Sequence, residues 1–255
     1  MRNFKAVGLA LVAGVTFVAG AALSGAAHAS AVDFDEKVYS PIIEDGETSL
    51  ETRQGRSFGK ASDGAAGGVV ELEHGFNDRF SLAILGMWDK APGESAKLNE
   101  LGVESVINLG TIPVLDIDYG AYLEYAQDLN GGGGTGEAKV LFQKRKCRFD
   151  SRLNLIVERP FSQHGARTGV SYAASADWAV THDFQVGAEA FGEMAEGGDW
   201  GGRRAHYAGP LIKYTINSLP YVGIKIEAAW LAAIGAARTE ANSQARLVVE
   251  FEKRF

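Results

Sequence analysis

Carboxylates are the residues of this chain best placed to do chemistry. Between Glu100 and Glu124, the stretches "ELGVESV" and "LDIDYGAYLEY" set Glu100 and Glu104, then Asp116, Asp118 and Glu124, at even spacings. Elsewhere Glu71 and Glu73, Lys225 and Glu227, and Arg246 and Glu250 with Glu252 repeat the habit. Further charges of the same parity are Glu51, Arg53, Lys139, Arg145, Glu158, Asp177 and Glu189. Charges of one sign gathered in a confined space focus the field and select the ions that pass or bind. Nucleophilic chemistry has less to work with, since it needs a base in reach of a hydroxyl and a group to orient that base. Beyond His28 the histidines are His74, His164, His182 and His206, and only His164 has a serine close by, Ser162. These histidines lack metal-ligand spacing, and three methionines do not make a copper cluster. The glycine run "NGGGGTG" is followed by no Lys-Ser/Thr and opens no helix, so it reads as a flexible loop and not a phosphate cradle. Neither a catalytic set, a metal site nor a cofactor is expected.

The elements that must position these charges begin after an export signal. "MRNFK" is a short basic start, "AVGLALVAGVTFVAGAALSGAA" an apolar run, and Ala27-His28-Ala29 a small-residue exit, the order of a secretory signal peptide over 1–29. A retained membrane helix is the alternative, because the run is long enough to span. Cleavage moves the net charge from −7 to −9, since the segment carries Arg2 and Lys5 and no acid. An acidic chain lacks the basic face that phosphate binding requires, so nucleic acid is excluded as a partner. The single cysteine, Cys147, rules out an intrachain disulfide.

Beyond residue 46 the apolar residues alternate. One face of "LDIDYGAYLEY" carries Leu115, Ile117, Tyr119, Ala121, Leu123 and Tyr125; the other carries Asp116, Asp118, Gly120, Tyr122 and Glu124. "YVGIKIEAAWLAAI" sets Val222, Ile224, Ile226, Ala228, Trp230, Ala232 and Ile234 against Lys225 and Glu227. "GVSYAASADWAV" groups Val170, Tyr172, Ala174, Ala176, Trp178 and Val180. Such alternation is a strand signal, and these runs reach the about nine to eleven residues a tilted strand needs to cross a bilayer. Comparable tracts fall at 48–56, 68–76, 79–89, 98–109, 114–128, 136–147, 151–160, 168–181, 184–195, 203–216, 221–234 and 243–255. They predict an all-β chain, a transmembrane antiparallel up-and-down barrel of about twelve strands over 47–255. The first tract is weak and 203–216 reads in either register, so ten or fourteen strands are also compatible.

The connections sort by parity. After even tracts they are tight ("FNDRF", "LGTIPV", "CRFDS", "THDF", "INSLPY"). After odd tracts they are longer or richer in glycine ("GRSFGKASDGAAGG", "KAPGESAK", "LNGGGGTGE", "FSQHGART", "EGGDWGGR", "GAARTEANS"). A barrel with both termini in the periplasm predicts this sorting. Phe76, Phe80, Trp178, Phe184, Tyr221 and Phe255 gather near the short turns, and Trp88 and Trp230 near the other rim, as interfacial aromatic girdles do. Periodicity alone leaves open a soluble barrel with its apolar face inward.

The terminal "LVVEFEKRF" resembles the end of Gram-negative outer-membrane β-barrel proteins, porin-like or transporter families among them, which finish on Phe with apolar residues at every second position. Leu247, Val249, Phe251 and Phe255 match that pattern and Lys253 departs from it. The resemblance implies an outer-membrane location, contact with lipid and lipopolysaccharide, and recognition by periplasmic chaperones and the barrel-assembly machinery. It singles out no subfamily. The expected function is a narrow passive channel with an acidic lumen for small polar or cationic solutes. One alternative is a non-conducting structural or receptor-like barrel whose interior charges pair and pack it shut. Another is a lipid hydrolase of the kind found among barrels of this size, although the "H-x-S-N-G" stretch those phospholipases carry is absent. Residues 30–46, "SAVDFDEKVYSPIIEDG", read as a periplasmic lead or a partial plug.

Overall fold

The structure, a computed structural model, describes residues 34, 36–161, 167–201, 203–219 and 222–254. Period-two alternation becomes twelve antiparallel strands: β1 (Glu47–Phe58), β2 (Ala66–Asn77), β3 (Phe80–Lys90), β4 (Lys97–Ile112), β5 (Ile117–Asp128), β6 (Gly134–Lys146), β7 (Phe149–Pro160), β8 (Gly169–Ala179), β9 (Phe184–Glu196), β10 (Ala205–Leu219), β11 (Val222–Gly235) and β12 (Ser243–Arg254). Each pairs with its neighbours in sequence, and β12 pairs with β1 from Glu47↔Arg254 to Phe58↔Ser243, closing the cylinder. Closure satisfies backbone groups that an edge strand would leave bare.

The two ends differ. At one end the turns are short, as at Asp78–Arg79 and Cys147–Arg148; at the other, longer loops such as 59–65 and 129–133 join the strands. Strand β5 starts at Ile117, later than its alternation suggested. Pro113 cannot donate to the ladder, and Asp116 takes a left-handed φ of 53°, so the segment turns instead of extending. Asp116 is therefore exposed in a turn and does not line the interior wall.

Side-chain placement is inverted relative to a water-soluble barrel. On the outer wall Ile84 is 61% exposed and Leu123 51%, whereas inward-facing Glu71 and Glu104 are each 1% exposed. An apolar band this extensive needs a non-aqueous neighbour. The interior also holds apolar side chains. Ile156, Phe191, Tyr207, Leu211 and Leu231 cluster with Val38, and Val106, Tyr122 and Leu141 cluster with Tyr39. Tyr207 and Leu211 settle the ambiguous tract: odd residues of β10 face in, and Pro210 faces out. The β10–β11 register skips Gly209 and Pro210, where proline offers no N–H to the ladder.

Candidate functional site: the lumen and its internal strap

Cross-strand pairing lines up like charges. Glu104 on β4 faces Glu124 on β5, Glu124 faces Glu137 on β6, and Glu137 faces Glu158 on β7. A second arc runs from Glu250 on β12 to Glu51 on β1 and Glu71 on β2. Like charges directly opposite one another are destabilising, so each row needs compensation. Arg53 serves the second arc, with Nη2 2.9 Å from Glu71 and Nε 3.5 Å from Glu51. In the first row Lys139 lies 3.1 Å from Glu137. There the Tyr122 hydroxyl donates to Glu104 at 2.8 Å and contacts Glu124 as well. Lys213 reaches Asp177 at 3.0 Å and Glu227 at 3.5 Å, Lys225 meets Glu250 and Glu252, and Arg246 lies 3.9 Å from Glu189.

The other compensating groups come from residues ahead of β1. Segment 36–46 runs inside the barrel as a strap. At its start Phe34 packs where β1 and β2 approach their long loop: a Cβ at Gly55 would lie 2.8 Å from its ring, and one at Gly67 3.0 Å. Glu36 accepts from Lys139 at 2.8 Å, and Lys37 Nζ lies 2.6 Å from Glu51 Oε2. Burial alone disfavours the Lys37 ammonium, but Glu51, Glu71 and Glu250 outweigh it and hold its pKa above the usual lysine value. Tyr39 is the central anchor. Its N–H donates to Asn154 Oδ1 at 2.7 Å and its carbonyl accepts from Asn154 Nδ2 at 3.1 Å. Its hydroxyl accepts from Arg53 at 2.7 Å and donates to Glu104 at 3.0 Å, and its ring lies 4.5 Å from that of Tyr122. Ser40 Oγ then donates to Gln143 at 2.6 Å. Pro41 and the Glu44 carbonyl come so close to the wall that a Cβ at Gly120 or Gly75 would lie 2.9 or 2.4 Å from them. The strap leaves at the short-turn end, where the Gly46 N–H donates to the Gly75 carbonyl at 2.9 Å.

Two cavities of about 270 Å³ flank this anchor. The one toward the long loops is lined by Glu100, Glu124, Glu137 and Glu158 with Phe34. The one toward the short turns is lined by Glu73, Glu250, Glu252, Arg145 and Lys225. Tyr39 borders both, so it forms the partition.

Among the residues expected at the lumen, Glu71, Glu73, Glu100, Glu104, Asp118, Glu124, Lys225, Glu227, Arg246 and Glu250 share the inward parity of their strands. Leu247, Val249 and Phe251 face outward along β12; Phe255 and Tyr221 lie outside the described residues. Phe76 and Phe80 pair at 5.9 Å near the short turns, joined at that end by outward-facing Trp178 and Phe184. At the other end Phe58 stacks on Trp230 at 4.9 Å. Sequence reasoning missed Glu137, Asn154 and Gln143, and for the segment ahead of β1 it offered a partial plug only beside a periplasmic lead. Glu137 shares the parity of Lys139 and was readable; the strap has no periodicity to read. His164 and Ser162 lie outside the described residues. His206 sits on the outer wall 3.5 Å from the Tyr172 hydroxyl, His74 bonds Thr48, and His182 bonds Asp183.

No protein-family model matches the chain, and no curated protein matches it in sequence. Solved structures do share its architecture. An outer-membrane channel from Pseudomonas putida F1 superposes with a TM-score of 0.56 at 11% identity, covering 88% of this chain and 99% of that one. The NanC porin gives 0.53 at 10% identity, covering 81% and 100%. The KdgM porin in complex with disordered oligogalacturonate gives 0.51 at 12% identity, covering 81% and 99%. The chain has the barrel fold of the outer-membrane porins.

Proposed function

We propose that the protein is a narrow passive channel of the Gram-negative outer membrane, favouring small cationic or neutral polar solutes. The observation that carries this reading is the row Glu104–Glu124–Glu137–Glu158, four carboxylates in direct cross-strand register inside an apolar-walled barrel. A fold gains no stability from facing like charges, whereas a path for cations gains a continuous attractive field. The apolar outer wall, two aromatic girdles and sorted loops support a membrane location with the short turns in the periplasm. The architecture shared with channels and porins supports passive conduction. The KdgM complex contains oligogalacturonate, a polyanion; the acidic interior here suits the opposite charge.

A second reading, a closed structural or receptor-like barrel, is favoured by the Tyr39 partition between the cavities. Planar-bilayer recording separates the two. The channel reading expects stepwise currents carried mainly by the cation, with selectivity that falls in Glu104→Gln and again in Glu104→Gln/Glu124→Gln. Silence across salts and voltages removes it in favour of the closed barrel. An enzyme would need a nucleophile with a base beside it, and incubation of purified protein with phospholipid and lipopolysaccharide, leaving every acyl chain intact, is the expected result.

A further inference from the structure

Among the described residues, Lys37 is the one basic side chain in contact with the Glu250–Glu51–Glu71 arc that is not on the wall. Arg53 and Lys225 belong to β1 and β11, whereas Lys37 reaches in from the strap, its ammonium against Glu51 and 5.0 Å from the centre of the Tyr39 ring. That is how an alkylammonium binds: a carboxylate for the charge, an aromatic face for the desolvated head, and a channel for the stem. The arc has capacity to spare. Glu51 is 2% exposed and Glu71 1%, yet among the described residues Glu71 Oε1 has no hydrogen-bond partner and Glu51 Oε1 has only the 3.5 Å ion-pair contact with Arg53 Nε. A buried carboxylate oxygen left without a hydrogen bond favours an incoming donor. Access exists as well, because Lys37 and Glu250 both line the cavity that extends toward the short turns.

We infer that the Glu51–Glu71–Glu250 arc is a binding site for primary alkylammonium solutes, and that Lys37 is a tethered occupant standing where such a solute would sit. The inference rests on the cation-channel reading of the same lumen and gives that reading a substrate class: amines with an unbranched stem. Lys37 then keeps the site filled when no solute is present, and a solute amine enters by taking its place.

The test is chemical complementation of the full chain purified in detergent. Lys37→Ala removes the stem beyond Cβ and the ammonium; n-propylammonium restores both as a free molecule. Titration calorimetry is expected to show saturable binding of one n-propylammonium per Lys37→Ala barrel and no binding of 1-propanol. Adding Glu51→Gln should weaken the amine by about tenfold or more, the worth of one charge-assisted hydrogen bond. Heat-modifiable mobility on a gel establishes first that the barrel is folded, and Lys37→Ser replaces Lys37→Ala if the latter does not fold. The inference is overturned if the folded variant shows no saturable uptake, if 1-propanol binds as well as the amine, or if Glu51→Gln leaves the affinity unchanged. Because the readout is binding and not current, silent bilayers would remove the channel reading without touching this result. Persistent cation currents with no amine binding would do the reverse.

Discussion

Replacing Asn154 with leucine tests whether the strap is a seated, releasable partition. Asn154 is wholly buried, and its side-chain amide pairs with the N–H and C=O of Tyr39 at 2.7 and 3.1 Å. Leucine has the same branched skeleton of heavy atoms, somewhat bulkier, and neither polar atom. The barrel wall is thus kept while the strap loses two hydrogen bonds at its centre. At about 1 kcal/mol net for each bond, the seated state is weakened by about 2 kcal/mol, or about thirtyfold in the ratio of seated to released strap. The remaining anchors, Tyr39 to Arg53 and Glu104, Ser40 to Gln143 and Lys37 to Glu51, stay intact, so the strap loosens instead of leaving. In planar bilayers the ratio of time spent at the larger conductance level to that at the smaller should rise by that factor. Ser40→Ala, which removes a single bond to the wall together with the one that Ser40 Oγ accepts from the Ile42 N–H within the strap, should raise it by about fivefold. An Asn154→Leu barrel that folds, inserts and gates like the wild type would refute the reasoning, because it would mean that Tyr39 does not control passage.

Other consequences are open to simpler measurements. A Cβ at Gly209 would lie 2.0 Å from the Trp230 carbonyl oxygen, so Gly209→Ala should cost roughly 1–3 kcal/mol and lower the temperature at which the compact gel band disappears. An unchanged transition would count against the β10–β11 packing. Cys147 is exposed at the short-turn end, so a membrane-impermeant maleimide should label it only after the outer membrane is permeabilised. In a Cys147→Ser background, Ser95→Cys in the loop between β3 and β4 should label in intact cells; the opposite pattern would invert the orientation. Glu137→Gln removes one carboxylate from the row and should lower cation selectivity as Glu104→Gln does, whereas an effect confined to Glu104 would break the row into unrelated residues.

The strands were legible because successive side chains point to opposite sides, a constraint that any wall with two different solvents imposes on sequence. The weak first tract is explained by its outer face. Thr52, Gln54 and Arg56 point outward on β1, so only Leu50 carried the apolar signal over 48–56, and Phe58 lies beyond that tract. The ambiguity of β10 has a similar cause, since apolar Tyr207 and Leu211 face in while Ile212 and Tyr214 face out. Which acids would face each other depends on register, and register depends on where turns form. Asp116 illustrates this, displaced from the wall by its own turn. For residues 30–46 the choice between a lead and a partial plug stayed open for a different reason. The strap's contacts join residues as far apart as Tyr39 and Asn154, its backbone is paired by side chains instead of a ladder, and no local pattern marks such a segment.

All of these outcomes depend on the outer wall meeting hydrocarbon and the inner wall meeting water. Nitroxide labels placed singly at Leu123 and Ile226 in bilayer-reconstituted protein read this most directly. The account predicts that relaxation of both labels is dominated by oxygen dissolved in the acyl chains, with little access to a water-soluble nickel complex. Labels that respond to nickel as freely as one in a loop would contradict it.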